Sequence, residues 1–176
     1  MSLTLYTSPG TRAQIIEWYA AELNAPLKLV PTGDRASAAF LAVHPFGKLP
    51  AALSADGAPI FESGAILLYL ADAFGGAATP SARAAGSKWV LWANSSLWPA
   101  VEAKRAVPPP MLAGLEAILS KQPFLNGDKF GVADVAVGAY LHYAAAFFSV
   151  RYSGAVARYV AAIVAREHFR ATIGAE

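Results

Sequence analysis

The chain has no cysteine among its 176 residues, which removes disulfide bridges, zinc-thiolate sites and any redox chemistry run by a protein thiol. If thiol chemistry takes place here, the sulfur arrives with a substrate. Neither sign of charge dominates. Fourteen Lys and Arg stand against twelve Asp and Glu, a formal +2, and the basic residues are scattered rather than gathered into a stripe, so there is no electrostatic footprint for nucleic acid. A long hydrophobic run is missing as well. The hydrophobic fraction of 56% and mean hydropathy of +0.40 come largely from alanine spread along the chain. The segment from Val135 to Val150 contains His142, falls short of the roughly 20 apolar residues needed to span a bilayer, and reads as a buried core helix. The opening residues Met1-Ser2-Leu3-Thr4-Leu5 carry no basic region, apolar stretch or cleavage-like site, so a cytoplasmic protein with no membrane partner is expected. His44, His142 and His168 show no metal-ligand spacing and have no nucleophile to pair with, so no metal is expected. His142 reads as a core or interface residue, and the other two as exposed.

What is present begins with Leu3-Thr4-Leu5-Tyr6, a short strand, followed by the turn Ser8-Pro9-Gly10. Ile15, Ile16, Tyr19 and Leu23 then recur at helical spacing until Asn24 and Pro26 end the run. Leu27-Lys28-Leu29-Val30 is a second strand, which a crossover helix makes parallel to the first. The segment from Gly33 to Val43 is weakly helical. Ala51-Ala52-Leu53 and Ala58-Pro59-Ile60-Phe61 flank Asp56-Gly57, a hairpin turn signal, and Glu62-Ser63 opens a helix bearing Ile66, Leu67, Leu70 and Phe74. Residues 1–75 thus read as βαβ followed by ββα. Gly75 to Pro80 is rich in small residues, giving a linker at 76–82. Nothing beyond it reads as a strand: helices are expected at about 83–98, 109–121, 131–147 and 152–166, in an all-helical unit covering 83–176.

Three segments carry candidate chemistry. Gly47-Lys48-Leu49-Pro50 precedes a short strand, where proline can hold a cis peptide and turn the Leu49 backbone toward an extended ligand; an ordinary trans proline is the alternative. In Glu62-Ser63, Ser63 either caps the helix or joins its free N–H groups in receiving a ligand carboxylate, with Glu62 facing a ligand ammonium. Ser8-Pro9-Gly10-Thr11-Arg12 puts hydroxyls and a guanidinium at the mouth of the first helix. A thiol with a pKa near 8.5 is only slightly ionised at neutral pH. Lowering that value by about two units takes roughly 2.7 kcal/mol of preference for the anion, within reach of one or two hydrogen bonds to the charged sulfur. The alternative is that Thr11 caps the helix and Arg12 is simply solvated. Trp89, Trp92 and Trp98 lie on the first helix after the linker; Trp92 either lines a ligand site or belongs to the core.

The succession Leu-Tyr-x-Ser-Pro-x-Thr-Arg, Gly-Lys-Leu-Pro and Phe-Glu-Ser-Gly-Ala-Ile-x-x-Tyr-Leu resembles the N-terminal domain of the cytosolic glutathione transferases across residues 3–74. The resemblance implies a thioredoxin-like α/β domain followed by an all-α domain. It also implies glutathione as co-substrate, a small hydrophobic electrophile as acceptor, and a homodimer. By the same resemblance, Leu49 before a cis Pro50 pairs with the cysteinyl part of glutathione. Glu62 and Ser63 hold the γ-glutamyl group, and Lys48 and Arg35 face the glycyl carboxylate. Ser8 belongs to the glutathione site, Thr11 and Arg12 stabilise the thiolate, and Trp92 lines the electrophile site. The run from Asn126 to Asp134 resembles the family's capping box and hydrophobic staple, with Gly131 as N-cap, Asp134 reaching back to it, and Phe130 and Val135 placed for the staple. The short length and Arg-Ala-x-Ile-Ile-Glu-Trp-Tyr are similar to the small chi class, which draws attention to Arg12.

The function implied is conjugation of glutathione to small hydrophobic electrophiles, a detoxifying reaction. A non-catalytic ligand- or protein-binding module of the same fold, and a glutathione-dependent peroxidase or isomerase, are the alternatives. Cysteine-dependent disulfide reduction is excluded.

Overall fold

The computed structural model describes residues 2–77 and 79–175; Met1, Glu176 and Ala78 of the expected linker lie outside them. Two compact units emerge, Met1–Gly76 together with Ala171–Glu176, and Ala77–Arg170.

The first unit is built on strand β1 (Leu3–Thr7), helix α1 (Ala13–Glu22), strand β2 (Leu27–Pro31), a short helix α2 (Ala38–Leu41), the hairpin strands β3 (Ala51–Leu53) and β4 (Pro59–Phe61), and helix α3 (Ser63–Phe74). The sheet order is β2-β1-β3-β4, with β2 parallel to β1, and β3 antiparallel to both β1 and β4. The expected βαβ-ββα order is therefore what forms. Alternation along β1 assigns its two faces. Leu3 and Leu5 are fully buried, as are Ile15, Ile16 and Trp18 of α1 and Ile66 and Leu70 of α3, and α1 packs on α3. Tyr6 meets Phe40 of α2 edge-on at 5.6 Å, in a second cluster with Val43 and Ala51 that Leu49 and Leu53 cover. Asp56 stabilises the hairpin turn through a short hydrogen bond from the Ser54 hydroxyl, which holds its carboxyl below the usual range.

The second unit is helical throughout. Helix α4 (Pro80–Trp92) runs through a π-helical segment (Ala93–Leu97) into α5 (Trp98–Lys104), and α6 (Pro109–Leu119), α7 (Val132–Phe148), α8 (Gly154–Val164) and the short α9 (Glu167–Ala171) follow. The first helix begins at Pro80, inside the segment read as linker. Thr79 accounts for this: its side chain accepts the Ala82 N–H at 3.1 Å, and proline at the first helical position needs no acceptor for the N–H it lacks. Trp98 stands on α5, beyond the π-helical segment. The apolar run expected as a core helix is α7, with Val135, Val137, Ala139 and Leu141 at 0% exposure. No helix among the described residues is long and apolar enough to cross a membrane.

Asp134 ties α7 to its surroundings. Its Oδ2 accepts the Gly131 N–H at 3.0 Å, as the capping reading required, while Oδ1 accepts the Leu125 N–H at 2.9 Å and the Tyr159 hydroxyl at 3.1 Å. Burial pushes this carboxyl up to about 6 against the pull of those donors. Phe130 packs edge-on to Phe124 at 5.8 Å, beneath the Arg166 guanidinium.

Helix α8 is capped from elsewhere. The Glu116 carboxylate of α6 accepts the Ala155 and Val156 N–H groups at 2.8 and 3.0 Å, satisfying donors that the first turn of a helix leaves free. Those bonds favour the anion and lower the Glu116 pKa. Gly154 makes room for this contact, since it has φ +61° and a Cβ there would collide with the Glu116 carboxylate.

A folded-state pKa below the unfolded value contributes stability above that value and loses it as pH falls. Glu116→Gln is therefore expected to melt below the wild type at pH 7, with the gap closing between about pH 5 and 3 in a series of thermal melts. Gly154→Ala is expected to cost about 2 kcal/mol at neutral pH, measured by denaturant unfolding.

Candidate functional site

The strand register brings the candidate residues to one end of the sheet in the first unit. Tyr6 lies opposite Ala51, and Ala51 opposite Phe61. Because neighbouring strands here are antiparallel, the chain leaves β1 into Thr7-Ser8, enters β3 from Leu49-Pro50 and leaves β4 into Glu62-Ser63 at the same edge. The parallel strand β2 ends there too, with Pro31 opposite Thr7 and the Thr32 N–H bonded to the Thr7 carbonyl at 2.9 Å. Gly33, Asp34 and Arg35 follow from it.

At the mouth of α1, the Thr11 hydroxyl donates to the Ser8 carbonyl at 2.7 Å. The cap position belongs to Arg12, which closes no side-chain cap bond, so capping does not explain Thr11. With its proton engaged, Thr11 is poorly set to donate to a thiolate. The Ser8 hydroxyl has no protein partner among the described residues, and the Arg12 side chain is exposed. Just before the turn, Thr7 donates to the Glu17 carboxylate at 2.6 Å, anchoring the end of β1 to α1.

The Leu49-Pro50 peptide bond is cis. Leu49 is half-buried and Lys48 exposed. Arg35 reaches this loop through its backbone: a Cβ on Gly47 would lie 3.0 Å from the Arg35 carbonyl oxygen, and Gly47 has φ +62°. Gly33, Asp34, Arg35, Phe46 and Gly47 line a wide, open groove here.

At the start of α3 the cap residue is Glu62 rather than Ser63, and it makes no side-chain cap bond. Its backbone has φ +72° and ψ +122°, a combination that clashes with any Cβ and costs of order 1–3 kcal/mol. This strain falls on an exposed glutamate beside Ser63, which is only 3% exposed.

His44 departs from expectation. The sequence implies an exposed ring, whereas His44 is 3% exposed. Its Nδ1 accepts the Phe46 N–H at 3.2 Å and its ring lies 4.9 Å from that of Phe61, so it joins the loop before Gly47 to the end of β4. The local bond from residue 46 back to 44 is the signal that was available; the contact with Phe61 depends on the fold. His168 and His142 are half-buried, and burial lowers the pKa of His142. No cluster of metal-binding side chains occurs among the described residues.

Trp92 is half-buried and belongs to the helical unit, where it meets Trp89 edge-on at 5.6 Å and lines an apolar cavity between α4 and α6.

Two family models match the chain: the glutathione S-transferase N-terminal domain over residues 1–72 and the glutathione S-transferase C-terminal domain over residues 99–170. Among similar proteins, elongation factor 1-gamma of Danio rerio is 31% identical over 160 residues, covering 76% of this chain and 36% of that protein. Glutathione S-transferase GstB of Escherichia coli is 30% identical over 135 residues, covering 62% of this chain and 65% of that one. The chain thus spans about a third of the elongation factor and just under two thirds of GstB. A glutathione transferase structure from Burkholderia graminis, with two glutathione molecules bound per subunit, superposes with a TM-score of 0.77 at 25% identity, over 95% of this chain and 85% of that one.

The backbone at position 62 makes a test independent of any ligand. Glu62→Gly is expected to be more stable than Glu62→Ala by about 1 kcal/mol in denaturant unfolding, reversing the usual order in which alanine is favoured.

Proposed function

Because this chain belongs to the glutathione S-transferase family, we propose that its first unit binds glutathione along the sheet edge that gathers Ser8, Leu49 and Ser63, and transfers its sulfur to a small hydrophobic electrophile. The observation that carries this reading is the convergence of three strand ends, with Glu62 held in a strained backbone at one of them. Strain of this kind persists where a site has use for it. Glutathione is an extended molecule with two carboxylates and one ammonium. Its charges match an edge that offers Arg12, Arg35 and Lys48 as cations and Glu62 as carboxylate.

In this assignment the Leu49 backbone pairs with the cysteinyl residue, while Pro50 shapes the entry to β3. Ser63 and the first N–H groups of α3 receive the γ-glutamyl carboxylate, and Glu62 takes the ammonium. Lys48 and Arg35 face the glycyl end. Thiolate stabilisation falls to Arg12, with the Ser8 hydroxyl as a second donor, because the Thr11 proton is turned to the Ser8 carbonyl. The thiol proton leaves to solvent. The thiolate then attacks the electrophilic carbon: the new C–S bond forms as a halide departs, or as the C=N π pair of an isothiocyanate moves onto its nitrogen, which takes a proton from solvent. Trp92 of the helical unit is assigned to electrophile binding in this reading. A homodimer, a cytoplasmic location and a detoxifying role belong to the same reading, and peroxide reduction or isomerisation would use the same thiolate with a different acceptor.

A second reading, a glutathione-binding or partner-binding module without turnover, draws support from the engaged Thr11 hydroxyl and from the similarity to elongation factor 1-gamma.

The two readings separate in a glutathione-consumption assay with an aryl halide and an isothiocyanate, run from pH 6 to 8 on wild type, Ser8→Ala, Thr11→Ala and Arg12→Ala. Arg12→Ala is expected to lose about tenfold in rate at pH 6 and progressively less toward pH 8, as an apparent thiol pKa raised by about one unit requires. Thr11→Ala is expected to lose less. An inactive wild type whose melting temperature glutathione raises would favour the binding module. Absence of both turnover and stabilisation would remove glutathione from the account. In calorimetric titration, Ser63→Ala is expected to weaken glutathione binding by about tenfold, the worth of one charge-assisted hydrogen bond.

A further inference from the structure

Among the described residues, one buried side-chain oxygen has no hydrogen-bond partner, the Oγ1 of Thr32. A buried hydroxyl left in this state is costly, and such groups are otherwise satisfied. The Thr32 backbone is fixed at the end of β2, where its N–H is bonded to the Thr7 carbonyl at 2.9 Å. The residue lines a cavity of about 200 Å³ between β2 and α2 in the first unit, smaller than a drug-sized site.

The rest of the lining narrows what could enter. Tyr6 and Phe40, edge-on at 5.6 Å, form apolar walls with Pro31 and Ala39. Ser37 is spent, since its hydroxyl donates to the Asp34 carbonyl at 2.7 Å and accepts the Phe40 N–H at 3.3 Å. Asp34 is the one charged residue on the lining. One of its carboxylate oxygens accepts the Ala36 N–H at 2.9 Å; the other has no protein partner among the described residues, nor has the Tyr6 hydroxyl. The free side-chain oxygens are therefore those of Thr32, Asp34 and Tyr6, one of them anionic, beside two aromatic rings. A primary ammonium group brings three N–H donors and a positive charge, which aromatic faces also attract.

From these features we infer that the cavity between β2 and α2 binds a small organic primary ammonium ion, with its hydrocarbon body against Tyr6 and Phe40 and its charged end toward Thr32 and Asp34. No residue on the lining is assigned to glutathione, so the inference goes beyond that reading and stands without it.

Benzylammonium tests it, with benzyl alcohol as the neutral and benzoate as the anionic counterpart of similar size. Each is titrated into the isotope-labelled full-length protein and followed through backbone amide shifts in nuclear magnetic resonance. Benzylammonium is expected to give saturable shifts at residues 32–40 and to bind at least about fivefold tighter than either counterpart. Asp34→Asn keeps an oxygen for the Ala36 N–H, and is expected to weaken benzylammonium about fivefold while leaving benzyl alcohol unchanged. Thr32→Val is close in shape. It is expected to weaken benzylammonium about threefold and to melt no lower than the wild type, since the hydroxyl has no protein bond to lose. Saturating glutathione is expected to leave the titration as it was, whether or not glutathione itself binds. The inference is overturned if benzylammonium leaves residues 32–40 unshifted, if benzyl alcohol or benzoate binds as tightly, if Asp34→Asn has no effect, or if glutathione displaces the amine. It is overturned equally if Thr32→Val melts below the wild type yet binds benzylammonium unchanged, because the hydroxyl then serves a water molecule.

Discussion

The pairing of β1 with β3 and of β3 with β4 is the constraint on which the first unit turns. A sheet has a period of two, so a slip of one residue would exchange the buried and exposed faces of β1. Leu3 and Leu5 would leave the α1 and α3 side, and Tyr6 would leave Phe40. The burial of those residues therefore sets the register. The register in turn decides which residues follow each strand at the shared edge: Ser8 after β1, Leu49 and Pro50 before β3, and Glu62 and Ser63 after β4. The site is a by-product of a core-packing decision made a few residues away.

Around that edge, several contacts hold loops that no regular hydrogen-bond ladder would hold. Thr7 is anchored to Glu17, Thr11 to the Ser8 carbonyl, and Phe46 to His44, while Gly47 lets the chain pass close to the Arg35 carbonyl. Each removes freedom from a segment that bears a candidate ligand contact, so the ordering cost is met during folding rather than on binding. The strain at Glu62 runs the other way, as a local cost carried by the stability of the sheet and α3.

The helical unit is organised by two carboxylates with contrasting surroundings. Asp134 is buried and serves three donors from different segments, so it joins the cap of α7 to Leu125 and Tyr159. Glu116 reaches from α6 to cap α8 from a half-buried position. Burial raises the pKa of the first, and backbone donors lower that of the second. Both carboxylates spend their oxygens on donors of the helical framework.

Much of this was legible in the residues themselves. Alternation in Leu3–Tyr6, helical spacing from Ile15, the Asp56-Gly57 turn and the apolar run of α7 follow from local periodicity and turn chemistry, which are properties of short segments. The capping role of Asp134 was legible for the same reason, since cap and acid lie three residues apart. The absence of cysteine settled which redox chemistry the chain cannot perform. Contacts between distant segments were not legible: Glu116 capping α8, His44 buried against Phe61, and the packing of α4 against α6. These depend on packing, and packing is decided by volumes and directions that emerge only when segments 10 to 40 residues apart meet. Sequence by itself determined the elements and the kinds of chemistry available. Tertiary structure alone decided which hydroxyl is free, which glycine matters and where the strain is kept, because each is a question of distance.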